Sequence, residues 1–227
     1  MKTKLFSFTF LFVLATTLVF SQSTEVSRTS FAILGGINMQ NLNGKDAGGD
    51  KLTNDMLVGY HVGVNVQLPV APQFYFQPGL LFSAKGAKNT NGLLNITSTY
   101  KLSYIELPLN FVYKAQVGNG YVMLGFGPYV GYGIGGKAIY EGGAVTIESD
   151  VKFKNEIEAG DPITVTYFKP FDAGANILFG YELSGGLFVQ LNAQLGLINI
   201  RPTVAGLPEN DATIKNTGFG LSVGYRF

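Results

Sequence analysis

The stretch Thr217–Phe227, TGFGLSVGYRF, decides how the rest of the chain is read. Thr217, Phe219, Leu221, Val223, Tyr225 and Phe227 are bulky or able to face oil, and every residue between them is Gly, Ser or Arg. Alternation with period two marks a strand with one apolar face. The sequence stops on an aromatic in the middle of that alternation, with no polar tail.

The same alternation recurs upstream in segments running approximately Phe31–Leu42, Met56–Leu68, Phe74–Lys85, Leu102–Lys114, Tyr121–Ile134, Phe171–Leu183 and Leu187–Leu197. With the final stretch these make eight predicted strands and no helix of any length. Each is close to the roughly 9–11 residues that a tilted strand needs to cross a bilayer, whereas strands of soluble proteins average about 5–6. The connections alternate in length. Pro69–Gln73, Gln116–Gly120 and Ser184–Gly186 are tight, while Asn43–Asp55, Gly86–Lys101, Gly135–Pro170 and Ile198–Asn216 are long and polar. That pattern predicts an all-β fold, an eight-stranded antiparallel up-and-down transmembrane β-barrel with short periplasmic turns and long extracellular loops.

Face composition separates this barrel from a soluble one. Val58, Tyr60, Val62, Val64, Val66 and Leu68 share one parity against Gly59, His61, Gly63, Asn65 and Gln67. A soluble secreted lipocalin-like binder of hydrophobic ligands would turn the apolar set inward, and it stays as an alternative. Two features favour the membrane. Aromatics on the apolar face gather toward strand ends, with Phe74, Phe76, Phe111, Tyr113, Tyr181, Tyr225 and Phe227 expected at the turn end and Phe31, Tyr60, Phe82, Tyr132 and Phe171 nearer the loop end, as two interfacial girdles require. The opposite face is Gly and amide rather than the Lys and Glu of a solvated strand, and it carries His61, Asn65, Gln77, Asn110, Asn176, Gln190, Asn192 and Gln194.

Charges sit on that polar face too: Lys85, Glu106, Lys114, Asp172, Glu182 and Arg226. Turned to lipid, the basic ones alone would cost up to about 2–4 kcal/mol each near the midplane, a large part of a typical stability of roughly 5–15 kcal/mol. They are therefore assigned to the lumen. Chain direction groups Lys85, Glu106 and Asp172 toward the loop end and Lys114, Glu182 and Arg226 toward the turn end. Ion pairs are expected within each group, because unpaired buried charge is costly, and balanced charge in a small lumen implies a plug.

Composition agrees. Charged residues make up 14% of the 227, with 30 Gly, no Cys and a net charge of +1, against roughly 25% charge and about 7% Gly in ordinary soluble domains. No basic block points to nucleic acid, and without Cys neither disulfides nor a Cys-type zinc site is available. The N-terminus reads as a secretory signal: Met1–Lys4 is a short basic start, Leu5–Phe20 an apolar run, and Val19-Phe20-Ser21 a small-residue cleavage pattern. At about 16 residues the run falls short of the roughly 20 needed to span. The domain expectation is a signal peptide over 1–21 and one barrel over 22–227, integral to the outer membrane of a Gram-negative bacterium.

Candidate chemistry is sparse. Gly131–Ala138, GYGIGGKA, approaches a phosphate-binding loop, but Ala138 stands where a Ser or Thr hydroxyl is needed. Gly125, Gly127, Gly131, Gly133 and Gly135 share one parity, so a Gly-lined inner wall accounts for them. His61 is the sole imidazole. It reads as a lumen residue bonded to neighbours such as Asn65 or Gln77, and no serine stands out as its partner. Asp46, Asp50 and Asp55 lie in a Gly/Asn/Asp loop without EF-hand spacing, which reads as solvated. The charged stretch in Gly135–Pro170 alternates with Val, Ile and Phe and predicts a hairpin above the membrane, the place for partner contacts. Asn95-Ile96-Thr97 matches a glycosylation sequon by coincidence. No catalytic residue, metal or cofactor is expected.

The stretches FYFQPGLLFSAKGAK, LSYIELPLNFVYK, GFGPYVGYGIGGK, FDAGANILFGYELSGGLFVQLNAQLGL and GFGLSVGYRF resemble the PorT-like outer-membrane β-barrel family of Bacteroidota, often labelled porin family protein. The resemblance covers nearly the whole chain after the signal, and its motifs are strand and turn patterns. It implies outer-membrane residence and no cofactor. Some relatives are implicated in secretion and gliding machinery, so secretion-system or surface proteins are expected partners through the loops, beside outer-membrane lipids. In outer-membrane proteins generally a final aromatic is read by the barrel-assembly machinery, and Phe227, with Tyr225 in phase, fits that signal. The functional expectation is a non-enzymatic barrel with a plugged, charge-paired lumen and loops for surface or partner contacts. A small porin or channel for solutes is the alternative.

Overall fold

Backbone donors and acceptors inside a bilayer have no water to bond, so strands that span it must close on themselves. The computed structural model describes residues 28–91, 96–208 and 210–227, and its main sheet closes. In chain order the strands are β1 (Ser30–Lys45), β2 (Asp55–Ala71), β3 (Phe74–Asn91), β4 (Ile96–Val117), β5 (Gly120–Gly142), β6 (Val145–Phe153), β7 (Glu156–Ile157), β8 (Thr166–Phe168), β9 (Phe171–Leu183), β10 (Leu187–Gly196), β11 (Thr203–Val204) and β12 (Thr213–Arg226). Eight of them, β1, β2, β3, β4, β5, β9, β10 and β12, pair antiparallel in that order around a ring. The seam runs from Ala32↔Arg226 to Lys45↔Thr213, and Phe227 N donates to Phe31 O at 2.8 Å. The predicted signal over 1–21, the boundary at residue 22 and Asn95 of the sequon lie outside the described residues.

The faces sort as their alternation dictates. Val62, Leu191 and Val223 are 55%, 56% and 51% exposed, whereas Asn65 is 5% and Arg226 8% exposed. The apolar set points out and the polar set points into the barrel. Pro72-Gln73, Gly118-Asn119 and Ser184–Gly186 make the tight turns at one end. Gly186 has φ +88°, and a Cβ there would come within 2.2 Å of Arg226 O, so only Gly fits where the turn passes the last strand.

Two boundaries differ from expectation. Phe31 belongs to the turn end, because β1 starts there and its carbonyl bonds Phe227. The turn-end girdle then holds Phe31 with the ring pairs Phe74–Tyr113, Phe76–Phe111 and Tyr225–Phe227, whose centroids are 5.0, 5.3 and 5.0 Å apart. Tyr60 and Phe82, 5.7 Å apart, and the cross-strand pair Tyr132↔Phe171 mark the loop end. The second difference is strand length. β3, β4 and β5 continue through much of the stretches read as loops over 86–101 and 135–170. Alternation signals a strand only where its two faces meet different media, and beyond the apolar belt the period-two contrast fades.

The hairpin expected in the third long loop is present as β5 with β6, in register from Lys137↔Asp150 to Gly142↔Val145. It rises and then turns back: β6 pairs with β8 at Val151–Phe153, and β7 pairs with β11 of the last loop. The predicted inner row of glycines stops at Gly133. Ser103 faces Gly135 and Tyr104 faces Gly133, leaving Ile134 as an extra residue. This bulge changes the parity of the upper part of β5, so Gly135 leaves the inner wall, and Gly131–Ala138 is bulged strand inside β5.

Candidate functional site

The lumen is layered from mouth to turn end. At the mouth Leu42, Leu102, Tyr104, Ala138, Val151, Phe168 and Ile200 form a buried apolar cluster, with Phe153 packed against it. The returning loop supplies Phe153 and Phe168. The Phe153 ring lies 5.5 Å from Tyr104 and that of Phe168 lies 5.9 Å from Tyr100. Gly133 makes room for this: a Cβ there would sit 2.2 Å from the Phe153 ring.

Below the mouth lies the first ion layer. Lys85 Nζ stands 2.5 Å from Glu106 Oε1 and 3.1 Å from Asp172 Oδ2. Tyr129 Oη and Asn216 Nδ2 donate to Asp172 Oδ2 at 3.1 and 2.9 Å, and Gln194 Nε2 donates to Glu106 Oε2 at 3.3 Å. The Lys85 ammonium also lies over the Tyr129 ring at 4.6 Å. Lys85 and Asp172 are buried; Lys85, Tyr129 and Asn216 all serve Asp172 Oδ2, while Oδ1 has no hydrogen-bond partner among the described residues. The register explains the meeting. Gly131 stands opposite Glu106 on one side and Asp172 on the other, so the two carboxylates flank it and both reach Lys85.

The middle layer is amide, hydroxyl and imidazole. His61 Nδ1 lies 2.6 Å from Asn38 Oδ1, and His61 Nε2 lies 2.7 Å from Ser222 Oγ. Asn38 Nδ2 donates to Ala84 O at 3.0 Å, which turns its Oδ1 to the ring. The pattern makes Nδ1 the donor and Nε2 the acceptor of the Ser222 hydroxyl proton. Asn192 Nδ2 donates to Ser222 Oγ at 3.0 Å, and Gln190 Nε2 donates to Asn192 Oδ1 at 2.8 Å. The expected partners of His61, Asn65 and Gln77, are engaged elsewhere. A serine missed in the sequence takes their place, because Gly36 stands opposite both His61 and Ser222 and the two side chains meet across it. A cavity of about 80 Å³ adjoins the relay, and all eight polar lumen residues named from the sequence line it: His61, Asn65, Gln77, Asn110, Asn176, Gln190, Asn192 and Gln194.

Toward the turn end a second buried apolar cluster lies in the lumen, with Ala32, Leu34, Val112, Met123, Leu178 and Phe188. The second ion group shares its rows: Glu182 stands opposite Phe188, Lys114 opposite Met123 and Arg226 opposite Ala32. Glu182 accepts from Lys114 Nζ at 2.7 Å and from Arg226 Nε at 2.9 Å. Arg226 also donates to Asn65 Oδ1 at 3.1 Å and Gln77 Oε1 at 3.4 Å, and Gln67 Nε2 donates to Gln77 Oε1 at 2.8 Å. The six charges thus meet in the two groups that chain direction assigns. Each group is unbalanced by one: a single cation faces two carboxylates near the mouth, and two cations face one carboxylate near the turns. The excesses are opposite, so the six charges of the lumen sum to zero.

An interior of this kind, inside a closed ring with an apolar outer belt, is that of a membrane barrel. The sequence pattern described as Outer membrane protein beta-barrel domain matches residues 20–201. The chain belongs to this family of outer-membrane barrels. Among solved structures it is similar to Ail, the attachment invasion locus protein of Yersinia pestis, at 11% identity and TM-score 0.38, covering 88% of this chain and 99% of that one. It is also similar to Neisserial surface protein A, at 12% identity and TM-score 0.41, covering 88% and 98%. The toluene transporter TodX of P. putida gives 9% identity and TM-score 0.24, covering 92% and 91%. Among curated proteins none matches the chain.

In this outer-membrane barrel the site residues that sequence reasoning missed are Asn38, Tyr129, Asn216 and Ser222, with Phe153 and Phe168 from the loop; Gln67 stands on the predicted polar face but is not singled out there as a site residue. Tyr225 and Phe227 are 43% and 71% exposed, on the outer face at the seam. Asp46 Oδ1 accepts from Gly48 N at 2.9 Å and Asp50 N at 3.0 Å, so that carboxylate closes its own loop.

Proposed function

We propose that the chain is a non-enzymatic, integral outer-membrane barrel whose lumen is closed to solutes and whose outer loops make surface or partner contacts. The observation that carries this reading is the pair of buried apolar clusters, one at the mouth and one toward the turns, with one charge-paired group between them and another interleaved with the lower cluster. An eight-stranded barrel has an interior just wide enough for its own side chains. The 80 Å³ cavity is far below the roughly 300–1,000 Å³ of ligand pockets. Ser222 is fully buried, and its oxygen already accepts the Asn192 amide, which leaves no approach for an acyl substrate.

Export by the Met1–Ser21 signal, assembly through the Tyr225 and Phe227 signal, and membership of the PorT-like branch of Bacteroidota belong to the same proposal. So does a link to secretion machinery. All of these rest on sequence motifs, with the β5–β6 hairpin as the surface offered to a protein partner. Purified protein in a planar bilayer is expected to give no steady openings. Sustained conductance from the unaltered barrel would sink the closed-lumen reading and favour a small porin.

A further inference from the structure

The last long loop folds back over the start of β9. Lys169 N donates to Ile200 O at 2.7 Å, Ile200 N donates to Ile214 O at 2.8 Å, and Thr203 N donates to Asn155 O at 3.0 Å. These bonds frame a notch of about 140 Å³ lined by Lys169, Asn199, Arg201, Thr203 and Asn210 together with Leu207. Two cations share it. No carboxylate lines it among the described residues, and no ion pair among them involves Lys169 or Arg201.

The donors are held in place before any ligand arrives. Arg201 donates through Nη1 to Asn210 Oδ1, and its backbone N donates to Asn199 Oδ1 at 3.1 Å. Asn199 Oδ1 also accepts from Ile214 N at 2.9 Å, and Asn210 Oδ1 from Ala212 N at 3.2 Å. Both amide oxygens are thereby used within the loop, and the Asn210 Nδ2 group bonds no described protein atom. A guanidinium fork, an ammonium and an amide, with no carboxylate among the described lining residues, form an oxyanion site. Donors from three separate side chains suit a tetrahedral anion better than a planar carboxylate.

We infer that this notch binds a phosphate monoester, with Arg201 and Lys169 as its charged donors. Lys169 stands two residues before Phe171 of the loop-end girdle, and the exposed Leu197 and Ile198 precede Asn199. The notch is therefore at headgroup level, within reach of a phosphorylated glycolipid of the outer leaflet as well as of soluble phosphate. The inference goes beyond the closed lumen, and it rests on the proposed outward loops only for the source of the phosphate.

The test uses the full chain refolded in zwitterionic micelles. Inorganic phosphate and bisphosphorylated lipid A are titrated separately, with the Asn210 side-chain amide and Arg201 Nε followed by NMR. Saturable shifts are expected in the unaltered protein. R201Q should weaken binding at least about tenfold, the weight of one charge-assisted hydrogen bond. K169Q should weaken it less, and R201K should fall between. If lipid A binds at least about tenfold more tightly than inorganic phosphate and dephosphorylated lipid A does not bind, the source is the leaflet. Equal affinities point to soluble phosphate. No shift with either probe, or titrations unchanged in R201Q and K169Q, overturns the inference. Heat-modifiable migration of the same samples reports the barrel separately from the notch.

Discussion

Gly36 has His61 across from it on β2 and Ser222 across from it on β12, and its missing side chain lets the two meet at 2.7 Å. A Cβ at Gly36 would lie 1.9 Å from Leu221 O, so no other residue fits between them. Gly131 likewise stands between Glu106 and Asp172, although a Cβ there would meet only ordinary contacts. The polar lumen repeats this row, a glycine on one strand flanked by polar side chains on its two neighbours. This rule explains what a single sequence hides. His61 is visible at once, whereas Ser222 becomes its partner only when the seam register is known, and the register depends on where β1 and β12 begin. The His61–Ser222–Asn38 relay has the connectivity of a hydrolase triad, and its setting decides its role. Ser222 is fully buried and receives a second bond from Asn192. If the relay is structural, Ser222→Ala leaves His61 Nε2 and Asn192 Nδ2 unserved and lowers stability by about 1–3 kcal/mol, read as a shift in the urea midpoint of the refolded barrel. A fluorophosphonate probe is expected to leave Ser222 unlabelled. Stoichiometric labelling abolished by His61→Ala would make the barrel an enzyme.

β4 and β5 are 22 and 23 residues long, about twice what a bilayer crossing needs, and the excess stands above the apolar belt. Crossing segments are legible in the sequence because lipid outside and amides inside enforce alternation. The extensions are not, because the period-two contrast fades there: Lys88, Asn89 and Thr90 follow one another on β3 without a pattern. Phe31 escapes placement for a related reason, since a residue's height depends on strand direction as much as on its face. What closes the third loop above the membrane is equally invisible in composition. Asp161 Oδ2 accepts from Lys154 Nζ at 2.7 Å and from Glu158 N at 2.8 Å, and Lys154 also reaches Glu158 Oε2 at 3.1 Å. The Lys154 ammonium first, and then the Glu158 N–H, holds the Asp161 carboxyl below the usual carboxylate range. A carboxyl whose folded value is depressed stabilises its turn above the unfolded value, near pH 3.9, and loses that effect as pH falls through the folded one. The Glu158 amide is therefore expected to keep its exchange protection from neutral pH down past the ordinary carboxylate range, and to lose it only below. D161A should lose the protection at every pH without moving the urea midpoint of the barrel, because the turn lies outside the ring. Protection that disappears in step with an unperturbed carboxylate would show that the pair does not form.

Across the whole molecule the orientation of the wall follows from the energetics of lipid, and strand parity alone reveals it. The proposed closure is hidden from parity, because it rests on a loop returning to the mouth and on a lower cluster of residues scattered over β1, β4, β5, β9 and β10. The two charge layers reinforce the arrangement: the carboxylate excess near the mouth and the cation excess near the turns attract along the axis, and neither is paired within its own layer. If both clusters act as barriers, ion flow meets them in series and its resistance is set by whichever one stays dry. Opening one alone changes little. F153A with F168A removes both loop rings from the mouth, while Met123 and Phe188, each 1% exposed, stay in place as the proposed lower barrier. M123A with F188A does the reverse. Large-to-small changes in a core cost about 2–5 kcal/mol each, so each double variant is first checked for heat-modifiable migration. Planar-bilayer recordings of either double variant are then expected to show no steady openings, as proposed for the parent. The quadruple variant, with water admitted at both layers beside the cavity around His61, is expected to leak small ions. A leak from the mouth variant alone, as large as that of the quadruple, would mean that the lower cluster is no barrier and that closure belongs to the loop.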